Sequence, residues 1–440
     1  MKKIKIGVLG GFRGKTMIDW CLHSGEDVEV VAICDSSETV REAVQKSLCE
    51  AASPAKLYEN FEDFLTHEMD AVVLANYANE HAPFAVRCLE KGLHVFSEVL
   101  PVQTLAEAVR LVEAVEKSGK IYAYGENYCY FPATLEMKRL YRKGVLGEFE
   151  YGEGEYVHNC EPIWPSITYG DPEHWRNKMS AFFYCTHSAG PLLHITGLRP
   201  VKVSGFEIPP NERGRSVGAK GGAGAIEMIT LENGAVVKSL HACSLAKNSI
   251  WYSMYGTRGR AESRREDASG ESVGKLYLKN DTAAHPAGEW AEYFPSYDSE
   301  EPKSGEFGVE GEFSHRVVVE RSKKPDARLS FGHYGSDYLT MINFVRAIQG
   351  KPADTVNVYE ALDMAFTGMF AYFSALDGNA SKQIPDFRDK SVREQYRNDT
   401  RCCDNKAAGG QLLPSSSIRN EEIPPSVYAA VRKKYLDSLK

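Results

Sequence analysis

The sequence lacks an excess of positive charge and lacks long apolar runs. Its 52 Lys and Arg residues are outnumbered by 60 Asp and Glu, which gives a net charge of −8 and a pI near 5.9. Such a chain presents no overall basic field, so we expect no nucleic-acid partner. No apolar segment reaches the roughly 20 residues that cross a bilayer, and Lys5 interrupts the apolar run that starts at Ile4. We expect a first strand there, no signal peptide, and a soluble cytoplasmic protein without a membrane partner.

Cysteine spacing that would hold a metal is also lacking. The ten cysteines are scattered, with no C-x-x-C pair and no His-rich ligand spacing, and the adjacent Cys402 and Cys403 are interpreted as incidental. Reduced thiols in the cytoplasm fit this pattern better than a disulfide framework or a zinc site. We therefore expect no metal.

What is present is enough apolar sequence for two cores. A chain of 440 residues with 43% hydrophobic content is longer than one typical domain. In the first third, β-branched runs alternate with helical segments that end at glycine, which is typical of an α/β fold with a doubly wound parallel sheet. We predict a Rossmann domain over residues 1–125, an α+β domain on an open, mostly antiparallel sheet over 126–390, and a C-terminal tail with a terminal helix over 391–440.

The first strand, turn and helix have the features of a dinucleotide site. The run Lys3–Leu9 ends in a Gly-Gly-Phe-Arg-Gly turn, Gly10–Gly14, and a second apolar run ends at Asp35, 21 residues later. Glycines there let the backbone approach pyrophosphate at a helix N-terminus, and the acidic side chain suits ribose hydroxyls and disfavours a 2′-phosphate. We predict NAD as the cofactor. The turn is one residue shorter than G-x-G-x-x-G, so a tight turn without a ligand is the alternative.

Alternating apolar residues predict a sheet in the second part of the chain. The predicted strands are Phe149–Val157, Val201–Glu207, Ala225–Leu231, Ala235–Ala242 and Ile250–Tyr255. Turns such as 232–234 (Glu-Asn-Gly) join the last four, so we expect those four to pair in chain order as a meander. Residues 264–304 have little periodicity and are predicted to form a loop.

An aromatic-rich stretch follows the first of these strands. Residues 160–187 carry Trp, Tyr and Phe among Pro and Gly, which is typical of a long loop that lines a pocket. At its end Tyr184 and His187 place a phenol and an imidazole three residues apart, just before a Gly190-Pro191 break. We expect a short loop to present both side chains where a helix begins.

Short motifs follow one another along the chain in a specific order. They are Gly10 with Arg13-Gly14, Ser97-Glu98-Val99, Glu126-Asn127, Trp175-Arg176-Asn177-Lys178, Tyr184 with Thr186-His187 and Gly190-Pro191, Gly256-Thr257-Arg258-Gly259, His333-Tyr334-Gly335-Ser336-Asp337, Val358-Tyr359 and Pro385-Asp386-Phe387. Together they resemble the Gfo/Idh/MocA family of NAD(P)-dependent sugar oxidoreductases. Within it, they are most similar to glycoside hydrolase family 109, the NAD-dependent α-N-acetylgalactosaminidases.

Two departures bear on the branch that the chain resembles. The broader dehydrogenase family has Glu-Lys-Pro where residues 98–101 read Glu-Val-Leu-Pro, so the family's catalytic lysine is absent, as in the glycosidase branch. The branch motif Thr-His-Gly-Leu-Gly-Pro reads Thr-His-Ser-Ala-Gly-Pro over residues 186–191. The first departure favours a glycosidase, and the second leaves the sugar, the aglycone and the anomer open.

The resemblance implies hydrolysis through transient oxidation. Such enzymes use tightly held NAD to oxidise the C3 hydroxyl of the sugar, which acidifies the C2 proton; elimination at C1, addition of water and return of the hydride complete the reaction. Paired carboxylates are not needed. The alternatives are an ordinary NAD-dependent sugar dehydrogenase and an inactive sugar- and NAD-binding protein. The expected partner is a small-molecule glycoside or sugar, and we expect a homo-oligomer, either dimer or tetramer.

The resemblance also implies roles for the substrate residues. His187 is the predicted acid/base, because imidazole titrates near neutral pH and can move protons in both directions. Tyr184 and Tyr156 are predicted to assist it or to bond the substrate, and Arg176 and Thr186 are predicted to bind the substrate.

The predicted cofactor residues lie at the carboxyl ends of the parallel strands, where such sheets bind ligands. They are Gly10, Gly11, Arg13, Gly14, Asp35, Asn76, His81, Glu98, Val99 and Asn127. For Arg13 the alternative is a solvated surface charge. Asp337 is interpreted as a residue that stabilises a helix start, with no catalytic role.

Overall fold

The computed structural model describes residues 3–263, 265, 276–279, 291–293 and 331–438. These residues form two compact units. The first unit contains described residues up to 130 together with 331–362 and 386–400, and the second contains the remainder. Most of the predicted loop 264–304 lies outside the described residues, but Leu276–Lys279 and Ala291–Tyr293 form strands, so the prediction of a loop is wrong at those residues.

Six parallel strands form the sheet of the first unit, in the order β3-β2-β1-β4-β5-β6. They are β1 (Ile4–Leu9), β2 (Val28–Cys34), β3 (Lys56–Tyr58), β4 (Ala71–Leu74), β5 (His94–Ser97) and β6 (Tyr122–Tyr124). The strand order reverses between β1 and β4, the point at which such sheets bind ligands. The predicted doubly wound sheet is confirmed, with β3 as an additional strand whose three residues are too few to show a pattern.

Nine strands form the described sheet of the second unit, in the order β14-β13-β12-β11-β7-β10-β9-β8-β15. They are β7 (Phe149–Val157), β8 (Pro200–Ile208), β9 (Gly224–Leu231), β10 (Val236–Ala242), β11 (Ser249–Gly256), β12 (Gly259–Ser263), β13 (Leu276–Lys279), β14 (Ala291–Tyr293) and β15 (Lys382–Gln383). Every pair is antiparallel except β7 with β10. The predicted, mostly antiparallel sheet is confirmed.

The predicted meander is wrong in one respect, because β10 and β11 are not neighbours. Strand β7 lies between them and pairs with both. Alternation of apolar residues reports which face of a strand is buried, and it carries no information about which strand lies alongside.

Helices cover both sheets. They are α1 (Gly11–His23), α2 (Glu38–Glu50), α3 (Phe61–Thr66), α4 (His81–Glu90), α5 (Leu105–Ser118), α6 (Pro132–Arg142), α7 (Trp164–Thr168), α8 (Thr186–Thr196), α9 (Glu212–Arg215), α10 (Ser336–Ile348), α11 (Val358–Leu376), α12 (Lys390–Glu394) and α13 (Pro425–Ser438). Helix α5 shows how the sequence sets such limits: Thr104 and Glu107 form a capping box at its start, and Gly119 ends it in the left-handed conformation. Among the described helices, none is both long and apolar enough to span a bilayer.

The first unit is not continuous in sequence, unlike the predicted domain 1–125. Helix α10 buries Met341, Phe344 and Val345 in the same apolar core as Ile6 of β1 and Phe96 of β5. Since α10 lies far along the chain, the spacing of its own apolar residues does not reveal which core it completes. The predicted second domain, 126–390, and tail, 391–440, therefore each contribute a segment to the first unit.

Helix α8 lies against the sheet of the second unit at the glycines of β7. A Cβ added to Gly154 would stand 1.8 Å from the carbonyl oxygen of Ser188, and one added to Gly152 would stand 3.1 Å from Leu192 Cδ1. A side chain larger than hydrogen at Gly154 would therefore push the first turn of α8 off the sheet.

We predict that Gly154→Ala lowers the free energy of unfolding by about 3 kcal/mol, the upper end of the usual cost of overpacking. Urea unfolding of the full chain, followed by circular dichroism, measures the change. Glu150→Ala, at an exposed position of the same strand, is the matched control and should stay within about 0.5 kcal/mol of the parent. Equal stability of Gly154→Ala and the parent would contradict the close approach of α8.

Candidate functional site

The turn between β1 and α1 is built for close backbone approach. Gly10 has φ of 93°, a conformation that favours glycine, and a Cβ there would lie 2.5 Å from the backbone of Ala75. Gly10 is also the N-cap of α1 and, as a glycine, supplies no side-chain hydrogen bond to that helix. The amide groups of the first helical turn are thus presented at the carboxyl edge of the sheet, which is the donor set that binds a pyrophosphate.

Asp35 is held beside this turn by backbone donors. Its Oδ2 accepts the N–H of Gly11 at 2.7 Å and its Oδ1 accepts the N–H of Ser37 at 2.8 Å. Each carboxylate oxygen keeps further lone-pair capacity, and the residue is half-buried. A fixed carboxylate with spare acceptors at the end of β2 fits the ribose hydroxyls of NAD.

His81 ties two predicted cofactor segments together. Its Nδ1 lies 2.9 Å from the carbonyl oxygen of Leu100, and its Nε2 lies 3.3 Å from the carbonyl oxygen of Asn76. The His81 ring is buried at the start of α4. Val99, which precedes Leu100, is half-buried. His81 thus fixes the backbone at Asn76 and after Val99.

Arg13 is bonded to two buried carboxylates. Its Nη1 donates to Asp337 Oδ2 at 3.0 Å, and its Nη2 donates to Asp337 Oδ1 at 3.0 Å and to Glu98 Oε1 at 2.8 Å. Asn127 Nδ2 donates to Asp337 Oδ1 at 3.0 Å, and His333 Nδ1 lies 3.0 Å from Asp337 Oδ2. We call these five residues the Asp337 network. The alternative of Arg13 as a solvated surface charge does not hold.

The pKa values of the two carboxyl groups of the Asp337 network are shifted in opposite directions. Burial raises the pKa of Glu98 above the ordinary carboxyl value, although the Arg13 charge opposes that rise. Burial also acts to raise the pKa of Asp337, but the hydrogen bond from His333 and the charge of Arg13 outweigh it and hold that pKa well below its usual range. Asp337 is therefore the permanent anion of the network.

Sequence reasoning placed Asp337 only at a helix start. It is the second residue of α10 and is 2% exposed. The signal that could have identified its role is His333, four residues earlier in the same motif, together with a cation in the glycine turn. Its pairing with Arg13, 324 positions away, has no local sequence signature.

In the second unit, His187 lies between two phenol rings. Its ring centroid is 4.7 Å from that of Tyr156 and 6.1 Å from that of Tyr184. Tyr156 comes from β7 and His187 from the first turn of α8, and both are buried. The structure thus brings together three residues that the sequence placed in one site.

Helix α8 begins earlier than the Gly-Pro break predicted. It starts at Thr186 and contains Pro191, whose missing N–H cannot bond the carbonyl of His187 four residues before it. The hydroxyl of Tyr252, on β11, donates to that carbonyl at 2.5 Å. Tyr252, which sequence reasoning missed, therefore replaces the lost backbone bond and holds the residue that carries the imidazole.

Arg176 joins the same cluster through Tyr184. Its guanidinium carbon lies 5.5 Å from the Tyr184 ring centroid and 4.5 Å from that of Trp175. Burial raises the pKa of the Tyr184 phenol, and the Arg176 charge and hydrogen bond moderate that rise. Tyr184 is thus a neutral hydrogen-bonding phenol at physiological pH. Thr186 is fully buried in the first turn of α8.

Among the described residues, no group of three His, Cys, Asp or Glu side chains has the arrangement of a metal site. In the first unit, the candidate cofactor residues are backbone donors, one fixed carboxylate and the Asp337 network. In the second unit, a separate cluster contains an imidazole, two phenols and a guanidinium.

Comparison with known proteins identifies the nucleotide-binding part. Residues 4–126 match the Gfo/Idh/MocA model, described as an oxidoreductase family with an NAD-binding Rossmann fold. The chain is 25% identical over 416 residues to a glycosyl hydrolase family 109 protein of Porphyromonas gingivalis, covering 88% of this chain and 85% of that protein. The predicted resemblance to both families, and NAD as the cofactor, are confirmed.

Solved structures confirm the fold. An oxidoreductase domain protein from Kribbella flavida matches with a TM-score of 0.66 and 18% identity, covering 88% of this chain and 100% of that one. A levoglucosan dehydrogenase in complex with NADH and L-sorbose matches with a TM-score of 0.67 and 15% identity, with the same coverage.

We predict that Asp35→Asn weakens NAD binding about tenfold and reduces the preference for NAD over NADP. The amide keeps the shape but loses the charge that accepts ribose hydroxyls and repels a 2′-phosphate. Calorimetric titration with NAD and NADP measures both dissociation constants. Glu38→Gln, an exposed residue of α2, is the control and should change neither constant; unchanged affinities in Asp35→Asn would contradict the assignment.

We predict that Asp337→Asn lowers the free energy of unfolding at pH 7 by about 3 kcal/mol, because Arg13 loses the buried carboxylate that accepts hydrogen bonds from both of its terminal nitrogens. Because the folded-state pKa of Asp337 lies below its unfolded value, its stabilisation is present above the ordinary aspartate pKa of about 3.9 and is lost as pH falls below it. Urea titrations between pH 7 and pH 3 should therefore show a smaller loss in the variant. Asp19→Asn, which removes an exposed ion pair with Lys15, should cost less than about 1 kcal/mol.

Proposed function

We propose that this protein is an NAD-dependent glycosidase that cleaves a glycosidic bond through transient oxidation of the sugar, with no net redox change. The observation that carries the proposal is the cluster of His187 with Tyr156, Tyr184 and Arg176. It supplies a proton carrier, phenol donors and a cation without a pair of carboxylates, and the sequence has Val99 where the broader dehydrogenase family has its catalytic lysine.

NAD, when bound, supplies the exchange of a hydride with the sugar carbon C3. The first-turn amides of α1 would hold its pyrophosphate and Asp35 its ribose. The Asp337 network would keep the segment from Ser97 to Pro101 and Asn127 in place at the carboxyl edge of the sheet. These residues bind and orient the cofactor.

His187 is the proposed base for the C3 hydroxyl and the C2 proton, and the acid that returns a proton. Two features support this role. The imidazole is only 7% exposed, so bulk water does not compete for its protons, and Tyr252 and Pro191 fix the backbone that carries it. A proton carrier needs such a defined position to meet the reacting atoms.

Arg176 and the phenols are the proposed stabilisers of negative charge. Deprotonation at C2 places charge on the C3 oxygen, and preorganised donors aimed at that oxygen lower the barrier. Tyr184 retains its proton because burial raises its pKa, and the guanidinium of Arg176 packs against its ring. These are the properties of an oxyanion-binding pair.

The name of the relative from Porphyromonas gingivalis supports a glycosidase, and its 25% identity leaves the sugar open. The second candidate is an NAD-dependent sugar dehydrogenase. The likeness to levoglucosan dehydrogenase favours it at the level of the fold. The two candidates differ in whether reduced cofactor accumulates.

The test is a panel of p-nitrophenyl α- and β-glycosides, with nitrophenol and NADH absorbance followed together. Nitrophenol release without stoichiometric NADH is the expected result. NADH that accumulates while the glycoside stays intact would refute the glycosidase in favour of the dehydrogenase, and no reaction with any glycoside or free sugar would favour a binding protein.

We predict that His187→Asn lowers kcat for the active glycoside by about 10³-fold, within the usual contribution of a general acid or base. NAD affinity, measured by calorimetry, should stay unchanged. His23→Asn, at an exposed position of α1, should keep full activity. Activity of His187→Asn within twofold of the parent would refute the assignment.

A further inference from the structure

Two cysteines of the second unit lie side by side although 83 positions separate them in the sequence. The parallel pairing of β7 with β10 continues past the strand ends: His158 N donates to the carbonyl of Ala242 at 2.8 Å, and Cys160 N donates to the carbonyl of Cys243 at 3.0 Å. Neighbouring strands are about 4.8 Å apart. That spacing falls within the Cα separation of about 4.4–6.8 Å that a disulfide requires.

The two side chains also lie in one apolar region. Cys160 belongs to a buried cluster with Trp164 and Val431, and Cys243 packs against that cluster. Cys160 Sγ lies 3.2 Å from Nδ1 of His158. Backbone pairing and side-chain packing therefore both bring the two cysteines together.

The surroundings make the two thiols unequal. Cys243 is half-buried, whereas Cys160 is buried. The hydrogen bond from the Cys160 thiol lowers the pKa of Cys243, with help from the charge of Arg176, and the same bond raises the pKa of Cys160. Cys243 is thus the more accessible and the more readily ionised thiol.

We propose that Cys160 and Cys243 form a redox-active thiol pair, a modification site that reduces hydrogen peroxide and closes a disulfide. In the first step the Cys243 thiolate attacks one peroxide oxygen, the O–O bond breaks, and the departing hydroxide takes a proton to become water. Cys243 is then a sulfenic acid.

In the second step the sulfur of Cys160 attacks the sulfur of Cys243. The S–S bond forms, the S–OH bond breaks, and hydroxide leaves with the Cys160 proton as a second water. Two thiols and one peroxide give one disulfide and two waters. His158, beside Cys160 Sγ, is placed to accept the proton. The chemistry is independent of the proposed glycosidase activity, so the two can be tested separately.

The experiment treats the full-length protein with a few equivalents of hydrogen peroxide, blocks remaining thiols with N-ethylmaleimide, and maps the peptides by mass spectrometry. We expect a linked pair of peptides that contain Cys160 and Cys243, lost on treatment with dithiothreitol. Cys49, the exposed cysteine of α2, should be alkylated throughout. Cys160 and Cys243 that both remain alkylatable, or a linkage that excludes them, would overturn the proposal.

Single variants separate the two steps. In Cys160→Ser the sulfenic acid should persist at Cys243 and be trapped by dimedone, whereas Cys243→Ser should give neither adduct nor disulfide. Dimedone labelling at Cys160 in the second variant but not at Cys243 in the first would overturn the assigned order. The unaltered protein provides the primary result even where a variant folds poorly.

Substitutions of Arg176 provide a further test of the proposal. Replacing Arg176 by Met removes the positive charge that lowers the pKa of both thiols, and a loss of one pKa unit of thiolate stabilisation lowers the thiolate fraction by up to about tenfold. Arg176→Met should therefore slow disulfide formation several-fold, and Arg176→Lys should restore most of the rate. Equal rates in all three proteins would contradict the role of Arg176 in activating the pair.

Discussion

The carboxylate of Asp337 is the constraint on which the first unit depends. It is almost fully buried and has opposite charge or hydrogen-bond donors on three sides: Arg13 from the glycine turn, Asn127 from the 3-10 turn Asn127–Tyr130, and His333 from its own motif. An unpaired buried carboxylate costs several kcal/mol, so these segments must assemble together. For this reason α10, more than 300 residues after Arg13 in the sequence, is part of the NAD-binding domain. The guanidinium of Arg13 is already bonded to Asp337 and Glu98, so binding a pyrophosphate cannot be its only role.

The second unit depends on a different feature, the packing of the proline-containing helix α8 against the glycines of β7. Gly154 lets the first turn of α8 lie on β7, and Tyr252 supplies the hydrogen bond that Pro191 cannot. The consequence is a rigid backbone at His187, at the point where Tyr156 and Tyr184 meet its ring. Supporting contacts fix the position of a functional side chain, and at His187, the proposed acid/base, they come from two strands and the helix itself.

Sequence patterns predicted the elements well and their partners poorly. The glycine turn and the alternation of apolar residues in β7 are local properties, and β7 has its predicted bounds. The position of β7 between β10 and β11, the membership of α10 in the first unit, and the bonds from Tyr252 and to Asp337 join residues far apart in the chain. The spacing of apolar residues along an element indicates which face of that element is buried. It does not indicate which distant element packs against that face.

The position of Ser188 in the structure changes the interpretation of the motif over residues 186–191. The family motif has glycine and leucine where this chain has Ser188 and Ala189. These two departures lie in the motif that was expected to indicate the sugar. Both side chains are fully buried, and the Ser188 hydroxyl donates to the Cys185 carbonyl and lies 2.8 Å from the Ser239 hydroxyl of β10. The Ser188 hydroxyl thus links α8 to the sheet. The two departures from the motif therefore lie in buried packing positions of α8, whereas the proposed substrate residues Arg176 and Tyr184 are half-buried.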